Sequence, residues 1–444
     1  MNIPEFTIAG AGLAGALLAL TLGRRGHRVR VLERRPDPRK VPQPPGRSIN
    51  MALSTRGRHA LACVGLEEKV LEKALPMRGR MIHGQDETLE LQPYGIHPED
   101  VILSIGRAEL NMLLVEEAER CPEVEILFDQ GVDGFDAERK VLTWSKADGS
   151  RGEEAFLTLF GTDGAFSAVR RQMQRRDRFD YEQQFIDWGY KEISFPAQPD
   201  GAFAMDPGAL HIWPRGNHML IGLPNPDGSF TGTLFLPFEG AESFANLESV
   251  ADARQFFREW FPDALPMLPD FDDSWRENPV RSLVLVKCDP WIVDDCVALV
   301  GDAAHAVVPF YGQGMNASFE DVVVLAEELA MAPEDRRLAL SRYAARRKPH
   351  TDALAELAMC NFVEMRDSVA KRSYKWRHAL DQQLQRWLPD QWMSLYHMVT
   401  FTRLPYAEAK ARAERQDRLV RSAAIGIGAG LAWMLLRGSS RNDH

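Results

Sequence analysis

Six residues near the N-terminus, Gly10-Ala11-Gly12-Leu13-Ala14-Gly15, constrain the fold more than any other feature of the chain. They follow an apolar run, Phe6-Thr-Ile-Ala9, that reads as a short buried strand. They open a stretch from Leu13 to Arg25 that reads as a helix stopped by Gly26, and Arg28 to Leu32 reads as the next strand. A strand, a glycine turn, a helix and a second strand form the opening of a doubly wound α/β sheet. Each glycine has a task. Gly10 permits the tight turn, Gly12 lets a pyrophosphate come against the backbone, and Gly15 lets the helix pack closely on the strand. The helix N-terminus at Leu13 then offers unpaired N–H groups to phosphate. Glu33 ends the second strand, eighteen residues after Gly15, where its carboxylate can accept hydrogen bonds from ribose hydroxyls. Arg34 adjoins it and is placed with the cofactor-binding residues. These residues predict a dinucleotide site and leave FAD and NAD equally open.

The rest of the chain is read around this unit. Its 444 residues exceed a single core. Thr55 to Leu75 and Arg107 to Arg120 read as helices, and Asp148 to Glu153 as a turn leading into a strand through Phe160. From about Tyr181 to Arg281 short apolar runs such as Leu210–Trp213, Met219–Leu223 and Thr231–Pro237 alternate with Pro/Gly turns, which predicts a mostly antiparallel sheet. Cys296 to Val300 returns to a buried strand, Met315 to Met331 is a long helix, and beyond Pro333 the pattern is almost wholly helical. The expected organisation is therefore a discontinuous nucleotide domain (1–180 and 282–345), an inserted sheet domain for substrate (181–281) and a helical C-terminal region (346–444).

A net charge of -10 argues against a nucleic-acid partner. The five cysteines form no CxxC pair, no metal-ligand set is read, and no secretory signal is present, so a cytoplasmic protein with reduced thiols is expected. Ser422 to Leu436 is uncharged, but fifteen helical residues span about 22 Å, short of the ~30 Å hydrocarbon core. A packed or interfacial helix is favoured there over membrane association. Oligomeric state is not legible.

Two further motifs narrow the cofactor by resemblance. Gly161-Thr-Asp-Gly-Ala-Phe-Ser-Ala-Val-Arg170 is one. Ala298-Leu-Val-Gly-Asp-Ala-Ala-His305, running on to Pro309 and Gly312-Gln-Gly-Met-Asn316, is the other. With the N-terminal glycines, in this order and spacing, the set resembles the class A flavoprotein monooxygenases of the para-hydroxybenzoate hydroxylase fold. The resemblance implies a Rossmann-like FAD-binding domain, FAD as bound cofactor and a transient nicotinamide reductant. It places cofactor contacts at Arg107, Asp163 and Asp302, and at Gly314, Met315 and Asn316. The residues agree physically: Asp302 ends a buried strand and can bind a sugar hydroxyl, and a helix N-terminus near Met315 and Asn316 can stabilise negative charge on a reduced flavin ring.

More of the chain narrows it again. Arg47-Ser-Ile-Asn-Met-Ala-Leu-Ser54, Met77-Arg-Gly-Arg80-Met, Gln92-Pro-Tyr94-Gly, Pro309-Phe-Tyr-Gly-Gln-Gly-Met-Asn316 and Asn361-Phe-Val-Glu-Met365 are together similar to the kynurenine 3-monooxygenase family, over essentially the full chain. That resemblance implies hydroxylation of L-kynurenine by O2 and NADPH through a flavin hydroperoxide, a step of tryptophan catabolism. Arg80 would pair with the substrate α-carboxylate, helped by Tyr94, Asn361 and Tyr396; an arginine fork suits a carboxylate because two parallel charged hydrogen bonds fix it. Phe235, Phe310 and Met365 would enclose the ring, with Tyr311 and Gln313 near the flavin. The family often carries Phe or His where Tyr311 stands. No protein side chain is assigned as catalytic, because the cofactor carries the chemistry. Read singly, Arg80 is an ordinary surface arginine, Asn361 a solvated helix residue, and Phe235 with Phe238 a sheet core. A hydroxylase of another aromatic acid, or a non-hydroxylating flavoprotein of the same fold, remains the alternative.

Overall fold

The structure is a computed structural model and describes residues 3–41, 50–367, 372–388 and 391–439. Arg47 to Ile49 of the motif quoted above lie outside the described residues.

A six-stranded sheet carries the nucleotide unit, in the order Ile292–Val293, Val297–Leu299, Thr158–Gly161, Phe6–Ala9, Val29–Leu32, Val124–Leu127. Its pairs are parallel except for the short one between Ile292–Val293 and Val297–Leu299. Phe6–Ala9 and Thr158–Gly161 are buried at every position, as expected for strands covered on both faces. The register pairs Ala9 with both Gly161 and Leu32. Three neighbouring strands thus end level, and their next residues, Gly10, Thr162 and Glu33, meet at one carboxyl edge. The helix Leu13–Gly23 leaves that edge with nearly every residue buried, against the helices Arg107–Glu119 and Gly314–Met331.

A seven-stranded sheet lies beside it, ordered Arg281–Asp289, Asp180–Phe195, Phe230–Pro237, Met219–Pro224, Ala209–Pro214, Gly79–His83, Leu89–Pro93. Pairing is antiparallel except between Ala209–Pro214 and Gly79–His83. The sheet expected over 181–281 therefore also draws in a hairpin from 79–93 and a strand from 281–289, segments too short to show their partners in sequence. One face packs Phe195, Trp213, Phe230 and Leu234 against the helices Val250–Trp260 and Phe271–Glu277. The other turns Ile82, Ile212, Met219 and Phe235 toward the C-terminal helices.

Two local expectations differ. Thr55 to Leu75 is not one helix: Gly65, at φ 58°, separates Thr55–Cys63 from Glu67–Leu71, and Leu75–Met77 is a strand on Ile102–Gly106. The turn at Asp148 is shorter than expected, because Arg151–Ala155 already pairs with Val141–Ser145. The C-terminal part is helical as expected, in Arg336–Asp367, Arg372–Trp387, Leu395–Thr400 and Tyr406–Ser439. Ser422 to Leu436 belongs to the last of these; its side chains from 423 onward lie outside the description. No helix of the described residues is long and apolar enough to cross a membrane.

Candidate active site

One cavity of about 740 Å3 runs from the glycine turn to the far sheet. Its first end is made largely of backbone. Gly10 sits at φ 101°, and a side chain on Gly12 would meet nothing within 4 Å, so this backbone is open to the cavity. Gly15 works on the other side: a β-carbon there would lie 1.9 Å from the Gly10 carbonyl oxygen. The turn is pinned by Thr162, whose hydroxyl donates to the carbonyls of Ala9 and Gly10 at 2.8 Å each, and by Asn111, which donates to Ala11 O at 2.9 Å.

Glu33 is buried and accepts from the Ala11 amide at 2.6 Å and from the Arg35 amide and Nε at 2.9 and 2.8 Å. Burial pushes this carboxyl up, but the Arg35 hydrogen bonds and charge, with the Ala11 amide, outweigh it and hold the group below the usual range. It is a fixed anion on the cavity wall. Arg34 and Arg107 also line the wall and make no ion pair among the described residues. Asp163 Oδ2 accepts from the amides of Ala168 and Val169 at 2.7 and 3.2 Å, which makes it a helix cap. Its Oδ1 is buried and unpartnered, the residue lines the cavity, and burial raises this carboxyl. An orphaned acceptor in a cavity wall fits a ligand donor there. Asp302 lines the wall at the start of a short helix, following Gly301 at φ 64°. Open glycine backbone, a ribose-type carboxylate, two available cations and an unsatisfied acceptor fit a dinucleotide such as FAD.

At the other end Arg80, from the Gly79–His83 strand, is only 8% exposed. Its guanidinium lies 4.6 Å from the Tyr396 ring centre and 5.9 Å from that of Tyr94. The two tyrosines stack at 5.6 Å, and Tyr311 stacks on Tyr396 at 5.8 Å. Burial raises the Tyr94 and Tyr396 hydroxyls despite the Arg80 charge, so both remain protonated donors. Phe235 meets Phe310 at 5.0 Å, and both line the cavity with Met365.

The structure therefore brings to one cavity Gly10, Gly12, Leu13, Glu33, Arg34, Arg107, Asp163, Asp302, Gly314 and Met315 at one end, and Arg80, Tyr94, Tyr396, Phe235, Phe310, Tyr311 and Met365 at the other. Four residues named in sequence do not line it. Gly15 packs the helix on the turn. Asn316 accepts from the Ser54 amide at 2.9 Å and donates to Ala52 O and Gly312 O, so it braces the loop. Gln313 is buried and accepts from the Tyr406 hydroxyl at 3.1 Å. Asn361 is no solvated residue: it is 4% exposed and donates to Phe310 O at 2.7 Å, holding the aromatic wall. Sequence reasoning missed Met219, Ile221 and Leu223, which alternate along one strand to form the apolar wall, and Thr231 and Thr233 opposite them. The period-two pattern carried that signal.

Residues 5–255 and 278–358 match the family described as FAD binding domain, so the chain belongs to the flavoproteins that carry this domain. Among solved structures it resembles PqsL of P. aeruginosa, crystallised with 2-aminobenzoylacetate (TM-score 0.68, 22% identity, covering 83% of this chain and 98% of that one). It also resembles 2-methyl-3-hydroxypyridine-5-carboxylic acid oxygenase (TM-score 0.66, 20% identity, 87% and 98% covered). These two share the fold. Among curated relatives it is 48% identical to the kynurenine 3-monooxygenase of Salinispora tropica, over 95% of this chain and 93% of that one. It is 44% identical to that of Myxococcus xanthus, over 95% and 91%. Within the flavoprotein class, the chain belongs to the kynurenine 3-monooxygenase family.

Proposed function

We propose that this protein is an FAD- and NADPH-dependent monooxygenase that hydroxylates L-kynurenine to 3-hydroxykynurenine with O2. The observation that carries the reading is one continuous cavity, with a dinucleotide cradle at one end and a buried arginine beside two stacked tyrosines at the other. FAD when bound supplies the oxygen chemistry. The chain supplies position and polarity: Gly10 to Leu13 and Arg34 hold phosphate, Glu33 ribose, and Asp163 and Asp302 the remaining polar groups. Arg80, with the phenols of Tyr94 and Tyr396, takes the α-carboxylate. Phe235, Phe310 and Met365 hold the ring and exclude water, and Asn361 keeps Phe310 in place. NADPH as reductant comes with the family; a cytoplasmic setting is our own proposal, and the five free cysteines suit it.

The purified protein should be yellow, and kynurenine should accelerate its oxidation of NADPH. A colourless protein, or one whose NADPH oxidation ignores kynurenine, would overturn the reading.

A further inference from the structure

A second cavity, about 320 Å3, shares no wall residue with the first. It is enclosed by the helix Thr55–Cys63, by Gly314–Met331, by the first half of Arg336–Asp367 and by the connection at Arg403–Pro405. The proposed reaction uses none of its residues.

Its polar groups are charged and incompletely used. Arg56 is 1% exposed; it donates to Glu320 at 2.9 Å and to the Leu404 carbonyl, yet its buried Nε has no partner. His350 Nδ1 is likewise buried and unpartnered. Arg403 is exposed at the rim and makes no ion pair among the described residues. The wall charges are mixed: Arg56 and Arg347 share Glu320, and Arg346 pairs with Glu327 and Glu328. Burial lowers His59 and His350, with Arg403 acting the same way on the first and Arg347 on the second, and with Glu327 and Glu320 opposing it at His59 and Glu320 at His350. Pro349 lies inside its helix and has no N–H to give the Ala345 carbonyl, and both residues are on the cavity wall. Val323, Val324 and Pro405 supply apolar surface between these groups. The unpaired Arg403 and the unpartnered Arg56 Nε call for an anionic acceptor, and the apolar wall for a hydrocarbon body.

We propose that this cleft is a second ligand site, for a small organic carboxylic acid with an apolar body, and that its occupancy is felt at the flavin-side loop. Two connections lead there. The Arg56 guanidinium lies 4.1 Å from the Tyr406 ring centre, and the Tyr406 hydroxyl donates to Gln313, which precedes the cavity-lining Gly314 and Met315. Glu320 is shared by Arg56 and Arg347. Arg347 also donates to Asp321 at 2.7 Å, and Asp321 accepts from the amide of Gly301, the residue before Asp302, at 3.0 Å. A carboxylate that draws Arg56 or Arg347 off Glu320 disturbs both ends of the loop. The coupling rests on the flavin reading above; the binding does not.

The test is calorimetry of the full-length flavin-loaded protein with benzoate, the substrate site saturated with kynurenine and no reductant present. Benzoate should bind at one site, about tenfold more tightly than acetate or inorganic phosphate. Arg403→Ala and His350→Ala should each weaken it about tenfold or more, with turnover in the absence of benzoate unchanged. Benzoate should also shift the flavin absorption bands of the wild type and not of the variants. No benzoate binding, or binding that both substitutions leave unchanged, overturns the site. Phosphate binding as tightly as benzoate overturns the apolar-body class. Benzoate binding without a flavin shift overturns the coupling alone. Protein that takes up no flavin fails the functional reading instead, while the calorimetry still decides the site.

Discussion

The two ends of the main cavity are built by different means. The end proposed for the cofactor is mostly backbone: three strands in register deliver Gly10, Glu33 and Thr162 to one edge. The end proposed for the substrate is mostly side chains from separate segments, with Arg80 and Tyr94 on a hairpin, Phe235 in the inserted sheet, Phe310 in a turn, and Met365 and Tyr396 among the C-terminal helices. A backbone site tolerates no change of shape but is indifferent to most side chains. A side-chain site tolerates moderate changes one at a time, each with its own measurable loss.

That contrast can be broken most severely at Gly15. A β-carbon there meets backbone, which cannot give way. Gly15→Ala should abolish flavin retention and leave little folded protein, read from the flavin-to-protein ratio and circular dichroism. Gly12→Ala, where the new methyl enters open space, should melt near wild type yet hold FAD weakly. If the two variants behave alike, the division of labour between these glycines is wrong.

Arg80→Ala comes next. Losing a charged contact to the carboxylate costs about 1.5–3 kcal/mol, a rise in KM for kynurenine of roughly 10- to 150-fold, with FAD still bound. An unchanged KM would contradict the assignment of Arg80. Asn361→Ala should do less: it removes one hydrogen bond to Phe310, about 1 kcal/mol, and should raise KM several-fold while sparing flavin retention. Loss of flavin instead would place Asn361 at the cofactor end.

The smallest effect concerns pH. Glu33 is held below the ordinary glutamate range, so the stability it contributes is fully present above that range and fades as pH falls through and below it. Melting temperature of the wild type should therefore drop more between pH 6 and 4 than that of Glu33→Gln. Parallel curves would show that Glu33 is not the anchored anion described.

Legibility follows the same division. Gly10, Gly12 and Gly15 act through backbone geometry that a short motif encodes, Glu33 follows at the strand end that motif fixes, and the strand–turn–helix around them is readable to within a residue or two. Arg80 was readable only by resemblance, since nothing local says that a polar-looking hairpin pairs with Ala209–Pro214 and buries it. The resemblance implies ligand contacts for Asn361 and Asn316; in the structure their side chains bond Phe310 O and the Ser54 loop, which no motif announces. Asp321 carries no motif signal. A fully buried aspartate on an apolar helix, bonded to Gly301, His305 and Arg347, draws its partners from the segment before its helix and from the helix after it. The sheet wall of Met219, Ile221 and Leu223 was present as alternation, but which face met the cavity depended on the C-terminal helices.

The most direct test of a cavity that joins flavin to kynurenine is product analysis under 18O2. With NADPH and L-kynurenine, the protein should form 3-hydroxykynurenine carrying one 18O atom, in amounts that match the NADPH consumed. NADPH oxidation with no labelled hydroxykynurenine, in protein that has FAD bound, would contradict the account.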